Sequence, residues 1–105
     1  MQIHHLATAV ALSISTAAFA AADGESLFKQ NNCGACHAIA NKSLGPSLKD
    51  IAAKYAGDKG AQSKLEAKVR NGGAGSFGTM PMPATARSIS DGDIKTMVAW
   101  TLSQK

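Results

Sequence analysis

Large aromatic side chains are scarce in this sequence, which has one Trp, one Tyr and three Phe in 105 residues. Much of its 45% hydrophobic content is alanine, and alanine buries little apolar area per residue. Small domains with so little bulky apolar material often need a disulfide, a metal or a cofactor to hold their core together. The composition therefore predicts one small domain that depends on such an addition.

Alternating apolar and polar residues, the pattern of a half-buried strand, are absent throughout, so the sequence predicts an all-α domain. Apolar residues at helical spacing predict helices over 25–31, 47–56 and 61–70. A fourth helix is predicted to follow Ser90, an N-cap with Asp93 three residues later. Before it, residues 72–89 are rich in Gly and Pro and predict a long irregular loop.

Charge is absent from the first part of the chain, because residues 1–22 contain no Asp, Glu, Lys or Arg. Small residues close this segment and fit an Ala-x-Ala cleavage pattern, so 1–22 is predicted to be a secretory signal peptide and 23–105 the domain. Cleavage after Ala20, Ala21 or Ala22 fits equally. An uncleaved membrane anchor is the alternative, since basic residues are missing at the start.

All eleven basic and all seven acidic residues follow residue 22, so the net charge of +4 belongs to the predicted domain. The lysines are scattered, without a run or interleaved aromatics, and this pattern excludes a nucleic-acid groove. It suits a solvated surface that meets an acidic partner protein. Ordinary solubility explains any single lysine equally well.

The chain has only two cysteines, and they lie in the motif Cys33-Gly34-Ala35-Cys36-His37. This spacing is typical of c-type haem attachment, in which both thiols form thioethers with the haem and the imidazole binds iron. A structural zinc site needs four ligands, and the predicted domain offers only three. A thioredoxin-like pair expects a preceding strand rather than a helix. Haem is favoured, with zinc, a disulfide and chance spacing as alternatives.

A second iron ligand must come from another residue type, because the other histidines, His4 and His5, lie in the predicted signal peptide. Methionine is the remaining common protein ligand, and Met80, Met82 and Met97 follow the motif. Met97 lies on the apolar stripe of the last helix and is predicted to be a core residue. Met82 is favoured over Met80 because prolines on both sides stiffen its backbone.

Five segments together resemble the small bacterial class I cytochromes c of the c-551/c-552 type. They are CGACHAI (33–39), GPSLKDIA (45–52), VRNG (69–72), PMP (81–83) and WTLSQK (100–105). The resemblance covers nearly all of 23–105 and keeps the order and approximate spacing of the motifs. It implies about four helices around one covalently attached haem c, with the first and last helices crossing.

The resemblance also implies roles for single residues. Met82 corresponds to the axial methionine, and the Pro46 carbonyl to the acceptor of the Nδ1 proton of His37. Relatives commonly bind a haem propionate with an Arg and a Trp, where this chain has Lys68 and Phe77. Lys68 is able to donate a hydrogen bond and Phe77 is not, so the propionate contacts do not carry over unchanged.

The expected function is one-electron transfer in the periplasm, to a terminal oxidase or nitrite reductase by analogy with the family. The chain is expected to be a monomer, not an enzyme, and to have no permanent membrane anchor. A gas sensor or peroxidase-like enzyme would need an open iron position, and no distal acid–base pair is evident for it. A dedicated subunit of a larger enzyme is the remaining alternative.

Overall fold

The computed structural model describes residues 7–13 and 17–105. Its four α-helices are α1 (Ala17–Gln30), α2 (Leu48–Lys54), α3 (Ala61–Asn71) and α4 (Asp91–Leu102), and a 3₁₀ turn spans Cys33–Ala35. The only pairing of β type in the described residues is an isolated antiparallel bridge between Gly73 and Met82. Residues 72–90, between α3 and α4, form a segment that we call the methionine loop. The all-α prediction is confirmed.

Serine caps begin α2 and α4. The Ser47 hydroxyl accepts from the Asp50 amide and the Ser90 hydroxyl from the Asp93 amide, each at 3.1 Å. Each cap satisfies a backbone N–H that has no partner within its helix, which stabilises a helix by about 1 kcal/mol. The predicted cap at Ser90 is thereby confirmed, whereas α2 is shorter than predicted and ends at Lys54.

The first helix begins earlier than the sequence pattern predicted, at Ala17 rather than near residue 25. Alanine has the highest helix propensity, so nothing in 17–22 stops the helix. It ends before Asn32, which has a left-handed backbone (φ 58°) that Asn tolerates better than most residues. Residues 1–6 and 14–16 of the predicted signal peptide lie outside the described residues, so that division of the chain stays a prediction. None of the described helices has the length and apolarity to span a membrane.

One half of the core lies where α1 crosses α4. A Cβ at Gly24 would overlap the Trp100 side chain, so glycine is what allows the two helices to approach at this point. One turn further along α1, the rings of Phe28 and Trp100 lie with their centroids 5.2 Å apart at an interplanar angle of 53°. Tilted aromatic pairs of this kind contribute about 0.5–1.5 kcal/mol beyond their buried area.

The other half of the core joins α3 to α4. Leu65 of α3 packs with Ile94, Met97 and Val98 of α4. Met97 is 4% exposed, which agrees with its predicted core role. Leu48 of α2 joins the Phe28 and Trp100 cluster. We call α1, α3 and α4 with these buried side chains the helical frame, and it forms one wall of a cavity opposite the methionine loop.

Candidate haem site

The Cys-x-x-Cys-His motif lies in the tight turn that follows α1. The left-handed Asn32 starts this turn, and its carbonyl accepts from the Ala35 amide at 3.1 Å. The amides of Cys36 and His37 both donate to the Cys33 carbonyl, at 3.2 and 3.0 Å. The turn thus brings both cysteines and the histidine to the wall of one cavity.

The cysteine thiols are half-buried and are not joined in a disulfide. Burial, together with a smaller effect of the neighbouring Cys36, raises the pKa of the Cys33 thiol and favours its neutral form. Among the described residues, no three His, Cys, Asp or Glu side chains cluster as metal ligands.

His37 is oriented by the backbone of the segment that leads into α2. Its Nδ1 lies 2.8 Å from the Pro46 carbonyl oxygen. Because a carbonyl only accepts, Nδ1 carries the proton in this contact and Nε2 keeps its lone pair for a metal. The resemblance implied this contact between His37 and Pro46. Their roles toward iron remain a proposal.

Gly45 completes the support of the histidine. Its amide donates to the Cys36 carbonyl at 2.8 Å. A Cβ at this position would lie 2.8 Å from Cε1 of His37, closer than two carbon atoms tolerate. A larger residue would push the imidazole away from the Pro46 carbonyl, so the Gly45–Pro46 pair fixes both the position and the tautomer of His37.

Across the cavity, the backbone of Met82 is paired with that of Gly73. The Gly73 amide donates to the Met82 carbonyl and the Met82 amide to the Gly73 carbonyl, both at 2.9 Å. Gly72, just before, has φ +66°, and a Cβ there would collide with the Met82 carbonyl oxygen. These glycines therefore let the chain that carries Met82 lie directly against the end of α3.

Two further residues fasten the methionine loop to α3, and the sequence analysis did not predict either role. Thr85 donates from its hydroxyl to the Val69 carbonyl at 2.7 Å, satisfying a helix-end carbonyl that has no partner within α3. The Arg70 guanidinium donates to the carbonyls of Ala86 and Ile89 at 3.1 and 2.7 Å, and to Asp91 Oδ1 at 2.7 Å. Hydropathy patterns carry no signal for such polar contacts.

The three candidate methionines differ in exposure. Met80 is 64% exposed, Met97 is 4% exposed in the core, and Met82 is half-buried. All three reach the cavity wall. Of the two methionines outside the core, Met82 has both its amide and its carbonyl hydrogen-bonded to Gly73, so its backbone position is the better defined.

The cavity itself has a volume of about 330 Å³ and is lined mainly by apolar side chains. Cofactor sites usually have volumes of roughly 300–1,000 Å³ and apolar walls. Cys33, Cys36, His37 and Met82 all lie on this wall, as do Pro46, Lys68 and Phe77. Two thiols, an imidazole with a free ring nitrogen and a thioether around an apolar space match the needs of a covalently attached haem.

Comparisons with known proteins agree with this site. Residues 21–105 match the family described as Cytochrome c. The chain is 48% identical to cytochrome c-551 of Pseudomonas aeruginosa over 85 residues, covering 81% of this chain and 80% of that protein. It is 42% identical to cytochrome c-552 of Nitrosomonas europaea over 105 residues, the whole of both chains.

The crystal structure of wild-type Nitrosomonas europaea cytochrome c552 superposes with a TM-score of 0.73 at 44% identity, covering 77% of this chain and 99% of that one. A family match over most of the chain agrees with a helical fold around a cavity that bears the attachment motif. The expectations of one covalently bound haem c and of a non-enzymatic role in electron transfer are confirmed. The chain therefore belongs to the cytochrome c family, as a small class I electron carrier of the c-551/c-552 type.

Proposed function

We propose that this protein is a periplasmic one-electron carrier whose haem iron is held by His37 and Met82. The observation that carries the proposal is that both residues line the same cavity, with the His37 ring oriented by the Pro46 carbonyl and the Met82 backbone paired with Gly73. A haem bound there supplies an iron that accepts and releases one electron.

Each residue has a distinct task in this proposal. Cys33 and Cys36 hold the porphyrin through thioethers, and the Pro46 carbonyl keeps the proton of His37 on Nδ1, which increases the basicity of Nε2. The Met82 thioether is a soft ligand that favours the reduced metal and raises the reduction potential. If His37 and Met82 both bind the iron, no coordination position would be left open, and electron transfer would need little rearrangement of ligands.

The periplasmic part of the proposal depends on residues 1–22 being removed after export. The match to the crystallised relative supports this, because 77% of this chain accounts for 99% of that chain. The family match also begins only at residue 21, which leaves nearly all of the uncharged 1–22 segment with its Ala-x-Ala sites outside it. Mass spectrometry of the exported protein would locate the cleavage after Ala20, Ala21 or Ala22.

The partner is proposed to be another redox protein, such as a terminal oxidase or nitrite reductase, with an acidic docking face. Lys42 and Lys68 line the cavity, as do the exposed apolar side chains of Leu44, Phe77 and Met80. Other lysines are paired: Lys64 Nζ lies 2.7 Å from Asp58 Oδ2. That hydrogen bond lowers the pKa of Asp58 and raises the pKa of Lys64.

Replacement of the candidate methionines tests the ligand set. Met82→Ala should abolish the ferric thioether-to-iron charge-transfer band, let the ferrous protein bind carbon monoxide, and lower the potential, because it removes the soft axial ligand. Met80→Ala is the matched control, since Met80 is two residues away and 64% exposed.

The opposite result, with the band lost only in Met80→Ala, would assign the ligand to Met80. A native ferric protein without the band would refute methionine ligation altogether and favour a sensor or peroxidase-like enzyme with an open iron position.

A further inference from the structure

Lys54, the last residue of α2, reaches across to the methionine loop and makes two contacts there. Its ammonium group donates to the Ser76 carbonyl oxygen. The same Nζ lies 4.3 Å from the centroid of the Phe77 ring, within the range of a cation–π interaction. One side chain therefore holds both the backbone and the aromatic ring of adjacent residues.

These contacts join two walls of the haem cavity. Ile51 of α2 and Tyr55, which follows Lys54, line one wall, and Ser76 and Phe77 line another. Ser76 and Phe77 form the tip of a turn that is closed by a hydrogen bond from the Gly75 amide to the Gly78 carbonyl at 2.9 Å. A displacement of this turn would widen the cavity between the loop and α2.

We propose that Lys54 is a positioning residue that holds the 75–78 turn against α2 and so sets the solvent exposure of the haem cavity on that side. The side chain of Phe77 has no N–H or O–H group that could hydrogen-bond to a polar neighbour. A cation over the ring face supplies the missing anchor. The solvent exposure of a haem is one of the factors that set its reduction potential.

The inference depends on the haem of this family and not on the identity of the sixth ligand. Its failure is therefore distinguishable from failure of the Met82 assignment, because the charge-transfer band reports ligation independently. A variant that moves the turn without removing the ligand should keep the band while its potential changes.

The test compares Lys54→Met with Lys49→Met in the haem-loaded protein. Lys49 is an exposed residue of the same helix, so both variants lose one positive charge from α2. Both are expected to lower the potential through that charge, and Lys54→Met to lower it further because water gains access to the cavity. Amide hydrogen exchange at Gly75 should accelerate by about fivefold or more in Lys54→Met, since a hydrogen bond and a cation–π contact are lost. It should be unchanged in Lys49→Met.

Two more variants separate positioning from charge. Lys54→Arg should restore both the potential and the exchange rate, because a guanidinium stacks on an aromatic face and donates to a carbonyl. Phe77→Leu removes the cation–π contact, keeps an apolar side chain in the cavity lining and leaves the hydrogen bond from Lys54 to Ser76 in place, so it should give a smaller acceleration at Gly75. Equal potential shifts in Lys54→Met and Lys49→Met, with unchanged exchange at Gly75 in Lys54→Met and Phe77→Leu, would overturn the proposal.

Discussion

The helical frame is stabilised mainly by the burial of apolar side chains, whereas the methionine loop is held in place mainly by hydrogen bonds. In the frame, buried side chains such as Ile94 and Val98 are 2% and 3% exposed and pack without polar contacts between them. In the loop most residues are exposed, and its position depends on named hydrogen bonds from Thr85, Arg70 and Gly73. The frame should therefore set the stability of the fold, and the loop should set the properties of the iron.

This difference gives a criterion for sorting mutations. A change in the frame should lower the free energy of unfolding while leaving the spectrum of the folded protein intact. A change in the loop should alter the spectrum or potential at a smaller cost in stability. The cofactor connects the two regions, because the cavity lies between them.

The largest effect is expected when both attachment residues are removed. Cys33→Ala combined with Cys36→Ala should give a chain that retains no haem under denaturing conditions and folds poorly, because frame and loop would then face an empty apolar space. Haem staining on a denaturing gel and far-ultraviolet circular dichroism measure the two outcomes. Haem stain that persists in the double variant would contradict covalent attachment through these residues.

Within the frame, Ile94→Ala should cost about 2–5 kcal/mol in the free energy of unfolding, the usual range for a large-to-small change in a core. Ile94 is 2% exposed and packs between α3 and α4. Lys95→Ala, at the next and exposed position, is the control and should change stability by less than about 0.5 kcal/mol. Chemical denaturation measures both, and the charge-transfer band of folded Ile94→Ala should match that of the native protein.

The frame was the more predictable region, for a physical reason. Apolar residues at helical spacing and serine caps are local signals, and they placed α3, α4 and the core residue Met97 close to where the structure has them. The predicted start of α1 was wrong, because alanine favours a helix and gives no signal of where the helix begins. The C-terminal end of α2 was predicted too far along the chain, at residue 56, because Tyr55 continues the apolar spacing beyond Lys54, where the helix ends.

The loop was predictable only in part. The Met82 candidate in the loop could be named, as could the Cys-x-x-Cys-His residues outside it, because their chemistry is read from residue type and spacing. The contacts that position them join residues distant in sequence, as with Thr85 and Val69 or Lys54 and Ser76. No local pattern encodes such pairs, so the structure was needed to find them.

In the loop, Gly72→Ala should weaken the ligand site more than it destabilises the fold. Both Gly72 and Gly57 have positive φ, at +66° and +77°, so alanine at either position brings backbone strain. Only at Gly72 would the added Cβ collide with the Met82 carbonyl oxygen. Gly57→Ala is therefore the control for alanine at a positive φ where the added Cβ has open space.

The measurement is the intensity of the charge-transfer band as temperature rises toward unfolding. Gly72→Ala should lose the band at temperatures at which its fold is still intact, whereas Gly57→Ala should lose the band only as it unfolds. Identical loss of the band in both would mean that the pairing of Gly73 with Met82 does not control ligation.

The smallest effect is expected at the exposed mouth of the cavity, where the proposed docking depends on charge and changes neither the frame nor the ligand. Lys42→Glu should slow electron transfer to an acidic partner, and Lys59→Glu, an equal charge change at an exposed residue outside the cavity lining, should slow it less. Lys29→Glu should also slow it less than Lys42→Glu does, because Lys29 lies outside the cavity lining and is already paired with Glu25 at 3.1 Å. Redox interfaces are small, below about 1,200 Å², so the native rate should fall as added salt shortens the screening length toward roughly 10 Å. Stopped-flow transfer rates across a salt series measure this.

A rate independent of salt, with Lys42→Glu and Lys59→Glu alike, would show that the apolar side chains of Leu44 and Met80 make the contact and that the lysines only keep the protein in solution.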